Sequence, residues 1–390
     1  MFNSNNTWNV KPARDAGPLD RYIILTSTPG QHQTRYKTTA RSRSIDIVTQ
    51  PFKDPALEHQ ASSSLHSPPL KNKITPGDVG ILKSNLLPSF GLYSSLSLAT
   101  YIAAEATNRV ELKDWLWPSA QVLNAWWTAV GQPMCTHEIS FRTACGDLPW
   151  TKRVLLSCVT IWGTRLFARI ACRSLSRGTD DARYDAIKKE PGFWRGAFLK
   201  IFLPEAVVLS VISLPFTVPF TTGDATLPMG DDVMNVVRAL GVGLFGAGFA
   251  MEVMADTQIG LHRQERTDLC RHGVWGLVRH PNYLGDALVH FSFALLNMAG
   301  PFNPVVILGP VANYLFLRFV SGDKETEANQ EERYKSQDPH KYEQLRQWKR
   351  EKNSFWPDLR DLVNPWALAV AGCGFIGVVI EEGFRGAYDM

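Results

Sequence analysis

The pattern of polar and apolar positions divides the chain near residue 80. Residues 1–80 are polar, with runs such as SSSLHSPPLKNK and TTARSRS that hold little a core could use. Such a composition predicts a disordered N-terminal arm. No basic stretch followed by an apolar run opens it, which predicts no cleavable secretory signal. Its Arg, Ser and Thr content has a faint mitochondrial-presequence character, against which Asp15, Asp20 and Asp46 argue. From residue 87 apolar stretches dominate: 87–104, 115–130, 154–172, 201–220, 233–254, 284–300, 303–320 and 366–380. A helix that crosses a bilayer needs about 20 mostly apolar residues, within a range of about 17–25. The third to seventh stretches meet that length and the first is a further candidate. The second and eighth are short enough to be interfacial or re-entrant. The expected fold class is therefore all-α, a polytopic transmembrane helix bundle of about 6–8 spans behind a disordered arm. The expected division is an arm at 1–80, a membrane helical domain at 81–380 and a polar tail at 381–390.

Lys and Arg placement orients the bundle. Loop 173–200 carries Arg173, Arg177, Arg183, Lys188, Lys189, Arg195 and Lys200, and loop 255–283 carries Arg263, Arg266, Arg271 and Arg279. These loops and the charged segment 321–361 are expected on the cytosolic side. The short connections at 221–230 and 300–304 are nearly uncharged and fit lumenal turns. Within the stretch 233–254, Gly241, Gly243 and Gly246 spell GxGxxG. That dinucleotide fingerprint works only between a strand and a helix. Inside an apolar run, small residues spaced this way predict close helix packing instead.

Composition narrows the function classes. Lys+Arg 41 against Asp+Glu 37 leaves a formal charge of +4, too balanced for a nucleic-acid partner. The mean hydropathy of −0.13 averages the polar and apolar regions. Trp 12 and Phe 20 suit a chain anchored at a water–lipid boundary. The six cysteines form no CxxC pair, and no His/Cys cluster has zinc spacing, so no metal is expected. Cys135 and Cys145 share one loop and could pair if it faced an oxidising lumen.

Candidate chemistry concentrates at 275–286, WGLVRHPNYLGD. Pro281 suits the first turn of a helix, so a helix is predicted to start near His280. Its N-terminus faces the cytosol and suits an anion such as phosphate. Arg279 adds a bidentate donor there. Asn282, Asp286 and His290 recur every four residues and share a face. Asp256, Gln258, Arg263 and Arg318 lie at the same predicted membrane face, where one pocket shared with Arg279 would unite them. Tyr334 and Tyr342 lie in charged surface helices of the tail. Arg165, inside the third stretch, is either functional or snorkels to the surface.

With these residues in place, 275–286 resembles the C-terminal motif of the steroid 5-alpha-reductase and sterol C14-reductase superfamily, and within it the DUF1295 membrane proteins. The likeness covers roughly 110–357. It includes DWLW at 114–117, Asn124, WGTRL at 162–166, DARY at 181–184, Asp256, Gln258, Arg263, RHPNYLGD at 279–286, Arg318 and the region of Tyr342. The resemblance implies a helical membrane enzyme that uses NADPH to reduce an activated carbon–carbon double bond. Its cofactor would be held by Asp256, Gln258, Arg263, Arg279, His280, Asn282, Tyr283, Asp286, Arg318 and Tyr342. The substrate would be a lipophilic small molecule, the partner a lipid bilayer, and the location the endoplasmic reticulum membrane. Steroid-reducing members use a Gln-Glu pair and a Tyr that have no clear match here. Asp114 and Tyr93 are the available substitutes, and Arg165 is the third candidate for catalysis. A related Arg-His-Pro-x-Tyr-x-Gly motif occurs in membrane methyltransferases that use S-adenosylmethionine, but the Asn282 and Asp286 pair favours a reductase. A non-catalytic lipid-binding protein is the third reading.

Overall fold

The computed structural model describes residues 80–221, 230–266, 268–300, 302–320 and 322–388. Apart from residue 80, the expected arm lies outside them, as does most of the turn at 221–230. Every regular element among the described residues is a helix. The principal ones are α1 (Leu87–Thr107), α2 (Leu112–Trp126), α3 (Trp150–Arg177), α4 (Leu203–Ile212) and α5 (Asp231–Glu265). They are followed by α6 (Pro281–Met298), α7 (Leu308–Leu315), α8 (Asp323–Gln337), α9 (Pro339–Glu351) and α10 (Pro365–Tyr388).

Local sequence explains several boundaries. α1 stops at Asn108, whose left-handed φ of 54° closes the helix. α5 opens with Asp231 and Asp232 and ends with His262 and Arg263, a charge order that suits its dipole. α6 begins with Pro281 at its first position. After α7 the chain widens into a π-helical turn, Phe316–Val320, a feature that often marks functional sites.

Long α5 is the axis of the bundle, packing most extensively on α6 and α10. The glycines of the GxGxxG run sit at these crossings. A Cβ at Gly241 would lie 2.9 Å from the Leu296 side chain, and one at Gly246 would lie 3.1 Å from the Cys373 carbonyl oxygen. Gly248 and Gly285 face each other, each leaving room for the other's carbonyl. This is packing through small residues, as the apolar context predicts. As residue numbers fall along α5 from Gly248 to Gly241, contacts on α6 rise from Gly285 to Leu296, so the two helices are antiparallel.

Among the described residues, four helical stretches are long and apolar enough to cross a membrane: Trp150–Arg177, Asp231–Glu265, Pro304–Gln337, whose apolar residues precede α8, and Pro365–Tyr388. The all-α membrane bundle therefore stands, with fewer such helices than the six to eight spans expected. The 201–220 stretch is not one span. α4 ends at Ile212, and Leu214–Phe216 forms a tight 3-10 turn. Pro215 and Pro219 each remove a backbone donor there. Conversely, the eighth stretch is not short. α10 runs to Tyr388 because Arg238 neutralises its terminal acids, at 3.0 Å from Glu381 and 2.9 Å from Glu382. α6 is an interior helix with most of its residues buried. The exterior of the bundle is apolar, with Leu98, Ile161, Leu240, Phe375 and Ile376 among its exposed side chains.

All six cysteines are unpaired, including Cys135 and Cys145. Sequence spacing predicts no metal cluster, yet the turn after α5 folds back and gathers His262, Cys270 and His272.

Gly285→Val should loosen the α5–α6 crossing. A Cβ there would sit 2.6 Å from the Gly248 carbonyl oxygen and 2.9 Å from the Glu252 backbone nitrogen, neither of which can move aside cheaply. The expected loss is about 1–3 kcal/mol or more, read as a lower thermal midpoint in detergent. Gly383→Val, where a Cβ meets nothing, should leave the midpoint unchanged.

Candidate functional site

The approach to α6 is fastened to its neighbours residue by residue. The Val274 amide donates to Gln258 Oε1 at 2.9 Å, and Trp275 Nε1 donates to the Ala255 carbonyl at 3.0 Å. Gly273 adopts φ of +67° directly against the Gln258 amide, where any side chain would collide. Gln258 is thus engaged by the loop. The Arg279 and His280 amides donate to the carbonyls of Asn353 and Ser354, at 3.1 and 3.0 Å. The first intrahelical bond of α6 runs from the Leu284 amide to the His280 carbonyl. The amides of Asn282 and Tyr283 precede it and lie at the positive end of the helix dipole.

Beside this N-terminus lies a cavity of about 210 Å³. α6 supplies Asn282, Tyr283 and Asp286; α5 supplies Glu252 and Asp256; and α2 supplies Asp114 and Trp117. Arg169, Arg173 and Arg183 add cations, and Phe316 and Leu317 of the π-helical turn add an apolar wall. Of the sequence-predicted residues, Asp114, Asp256, Asn282, Tyr283 and Asp286 therefore meet around one space. Asp286 Oδ2 accepts from Asn313 Nδ2 at 3.2 Å. Buried atoms Asn282 Oδ1 and Asp286 Oδ1 have no hydrogen-bond partner among the described residues.

Arg165 does not snorkel. Its guanidinium pairs with Asp256, lies 3.5 Å from Glu252 Oε2, and donates to the Glu252 carbonyl at 3.2 Å. It thereby positions two carboxylates of the cavity. On the opposite side, Asp114 accepts from Arg183 at 2.7 Å and from the Tyr184 hydroxyl at 3.1 Å. Burial pushes the Tyr184 hydroxyl up, against the pull of Lys113 and Arg183, so it stays protonated across physiological pH. Lys113 pairs with Glu205 at 3.2 Å. These side chains border a second cavity of about 380 Å³, lined by Ile187, Ile201, Pro204, Val208 and Val320. The two cavities share Lys113, Arg183, Glu205 and Phe316.

Other predicted residues lie elsewhere, and the single pocket expected for Asp256, Arg279 and Arg318 is divided. The Arg279 guanidinium grips Glu327 of α8 with two bonds of 2.8 and 3.0 Å, and His280 Nε2 lies 2.9 Å from the same carboxylate. Arg318 pairs with Asp323 and donates to Ser354 Oγ at 2.6 Å. Arg279, His280 and Arg318 thus clamp the α8–α9 hairpin and the turn after it onto α6. Arg263 is exposed on the last turn of α5, in the field of Arg173, Arg169 and Arg333. Tyr342 is on α9 with the Arg346 guanidinium over its ring, outside both cavities. Tyr93 is fully buried, where its hydroxyl accepts from Asn124 at 3.1 Å, away from the cavity lining. His290 is enclosed edge-on against Trp162.

Glu252, Glu205, Lys113, Arg169, Arg183 and Tyr184 were not among the predicted site residues. Glu252 and Glu205 had a legible signal, since each is a carboxylate inside an apolar run. Glu252 also lies one helical turn before Asp256 and shares its face.

Glu327 lies in α8, a helix too charged to belong to the apolar stretch before it. Burial opposes its ionisation, but hydrogen bonds from His280 and Arg279 outweigh burial and hold the carboxyl down to about 2. A lowered folded value stabilises fully above the ordinary 4.5 and is lost as pH falls through about 2. Hydrogen exchange over 323–354 should accelerate across that window. Glu327→Gln should show fast exchange already at neutral pH, with a local loss of about 3–5 kcal/mol from the uncompensated Arg279.

No curated protein and no solved structure matches the chain. One family model does, described as a protein of unknown function (DUF1295), over residues 100–348. The match covers more than half of the sequence and includes every residue that lines the two cavities. Asn282, Asp286, Asp256 and their arginine rim are therefore features of a member of a defined family: the chain belongs to DUF1295.

Proposed function

We propose that this protein is an integral membrane reductase that uses NADPH to reduce a carbon–carbon double bond of a lipophilic substrate, in the membrane of the endoplasmic reticulum. The observation that carries the reading is the pairing of two unlike cavities across a shared wall. One is polar, at a helix N-terminus. The other shares Lys113, Arg183 and Glu205 with it, and adds Lys200, Glu325, a set of aliphatic side chains and a protonated hydroxyl.

The polar cavity suits one end of the cofactor. At about 210 Å³ it is smaller than the roughly 300–1,000 Å³ of sites that enclose a whole drug-sized ligand. The acceptors Asn282 Oδ1 and Asp286 Oδ1, neither of them hydrogen-bonded, match the donors of a carboxamide or a ribose. The remaining length of the cofactor would follow the rim, where Arg169, Arg173 and exposed Arg263 supply charge for phosphates. Arg165 keeps Asp256 and Glu252 in place by pairing with both. The cofactor, once bound, supplies hydride.

The second cavity suits the acceptor. Ile187, Ile201, Val208 and Val320 offer apolar contact for a lipid-like molecule. Tyr184 donates its hydroxyl proton to Asp114 in this structure. Turned from that carboxylate toward a bound acceptor, the same O–H can protonate a conjugated carbonyl or the carbon opposite hydride attack, leaving a phenolate with Lys113 nearby to balance its charge. Asp114 orients it, and Arg183 stabilises Asp114.

Binding of NADPH and of S-adenosylmethionine to detergent-solubilised protein tests the cofactor. NADPH should bind, and Asn282→Ala and Asp286→Ala should each weaken it about 10-fold, the value of one or two hydrogen bonds. Binding of S-adenosylmethionine alone would replace this reading with methyl transfer. Binding of neither would leave a non-catalytic protein. A screen of lipid extracts for NADPH oxidation identifies the acceptor. With it in hand, Tyr184→Phe should lower turnover about 10²–10⁴-fold while NADPH affinity stays unchanged.

A further inference from the structure

The turn after α5 carries a cluster that the proposed reaction does not use. His262, Cys270 and His272 each present one ligand atom, and these atoms lie within 4.8 Å of one another. His262 is 5% exposed and Cys270 is 3% exposed, while His272 reaches the surface. The two imidazole rings are 5.2 Å apart between centroids, and Cys270 Sγ is 3.9 Å from His272 Nδ1.

The protonation of His262 follows from its partners. Its Nε2 lies 3.0 Å from the Asp268 carbonyl oxygen and 3.2 Å from the Asp268 carboxylate. Both groups accept, so Nε2 carries the ring proton and Nδ1 is left with a lone pair. That Nδ1 is buried and has no hydrogen-bond partner among the described residues. An unsatisfied buried acceptor of this kind is costly. An imidazole whose other nitrogen donates to a carbonyl or carboxylate is also the arrangement that orients a metal-binding histidine.

We propose that His262, Cys270 and His272 bind a divalent transition metal of the zinc class. Two imidazoles and a thiolate suit such an ion, whereas magnesium and calcium require oxygen ligands. Around a tetrahedral ion the donor atoms lie roughly 3.3–3.8 Å apart, given bonds of about 2.0 Å to nitrogen and 2.3 Å to sulfur. The donor atoms, within 4.8 Å of one another, would draw together to that spacing around a bound ion. Three protein ligands leave a fourth position for water. The ion clips the loop at 268–272 to the end of α5. It thereby supports the lead-in to the 3-10 turn Gly273–Gly276 and the start of α6. The loop is also tied by the Asp268 contacts with His262, by the Leu269 amide to Gln344 Oε1 at 3.0 Å, by Arg271 to Gln347 at 3.5 Å and to Glu351 at 3.9 Å, and by the Val274 amide to Gln258.

The test uses the full chain in detergent, stripped with a chelator and titrated with zinc chloride against a competing dye, then with cobalt chloride followed by absorption. Wild type should take up one equivalent of zinc. Its cobalt form should show a sulfur-to-metal charge-transfer band. Cys270→Ser should abolish that band. His272→Ala, at an exposed position that the fold does not depend on, should weaken zinc binding beyond the about 10- to 100-fold that loss of an outer-shell partner costs. Cys135→Ala, at an exposed cysteine elsewhere, should bind as wild type. Zinc should also slow hydrogen exchange over 268–276. The proposal is overturned if wild type takes up no zinc, or if His272→Ala binds it undiminished. Should Cys270→Ser fail to fold, His272→Ala alone decides the outcome.

Discussion

A charged side chain inside an apolar bundle has to find a partner, and Arg165 finds two, Asp256 and Glu252. The guanidinium of α3 reaches across to two carboxylates on consecutive turns of α5. This sets where α3 lies against α5, and it leaves the carboxylates exposed to one shared space. α6 can approach that space closely because Gly248 and Gly285 have no side chains. The cavity is thus a consequence of two packing solutions, one ionic and one steric, meeting at the same level of the bundle. The opposite end of α5 repeats the ionic solution with Arg238, Glu381 and Glu382.

The segment RHPNYLGD is continuous in sequence but divided in its labour. Successive positions around the start of α6 point to different neighbours. Arg279 and His280 face Glu327 and hold the α8–α9 hairpin, while Asn282 and Asp286 face the cavity. Tyr283 joins the two groups. Its ring stacks on His280 at 5.3 Å between centroids, its hydroxyl lies 3.1 Å from Thr326 Oγ1, and it also lines the cavity. A residue seen as cofactor-binding from sequence can therefore serve the site through the fold, by fixing the helix whose next turn lines the cavity.

The segment that leads into α6 is held from three directions: by Gln258 of α5, by the backbone of Asn353 and Ser354, and by His262, whose ring meets Asp268. Loop backbone is the least constrained part of a helical bundle. Placing polar site residues within about 0.5 Å of a working geometry requires that such a loop be secured by neighbours. The density of these ties explains why so short a segment carries so many polar residues at an apolar boundary.

Apolar length and periodicity alone determined the all-α class, the location of most helices and the start of α6 at Pro281, because bilayer thickness and proline geometry are local constraints. They also identified Gly241, Gly243 and Gly246 as packing residues. The same signals misread 201–220, where prolines break a stretch of sufficient hydropathy, and left 366–380 open, a helix whose far end meets Arg238 from a distant part of the sequence. Asp256, Asn282 and Asp286 were legible as polar groups at one face, and Asp114 and Tyr283 through the family resemblance, but the separation of Arg279 and Arg318 from them was not. Which partner a cation chooses is settled by Glu327 and Asp323 arriving from another helix. Tyr184, Lys113 and Glu205 became site residues only when loop 178–192 folded back onto α2, and His262, Cys270 and His272 met only through the turn after α5. Helix formation is written in neighbouring residues. Charge pairing and ligand geometry depend on distances between segments, and only the tertiary structure decides those.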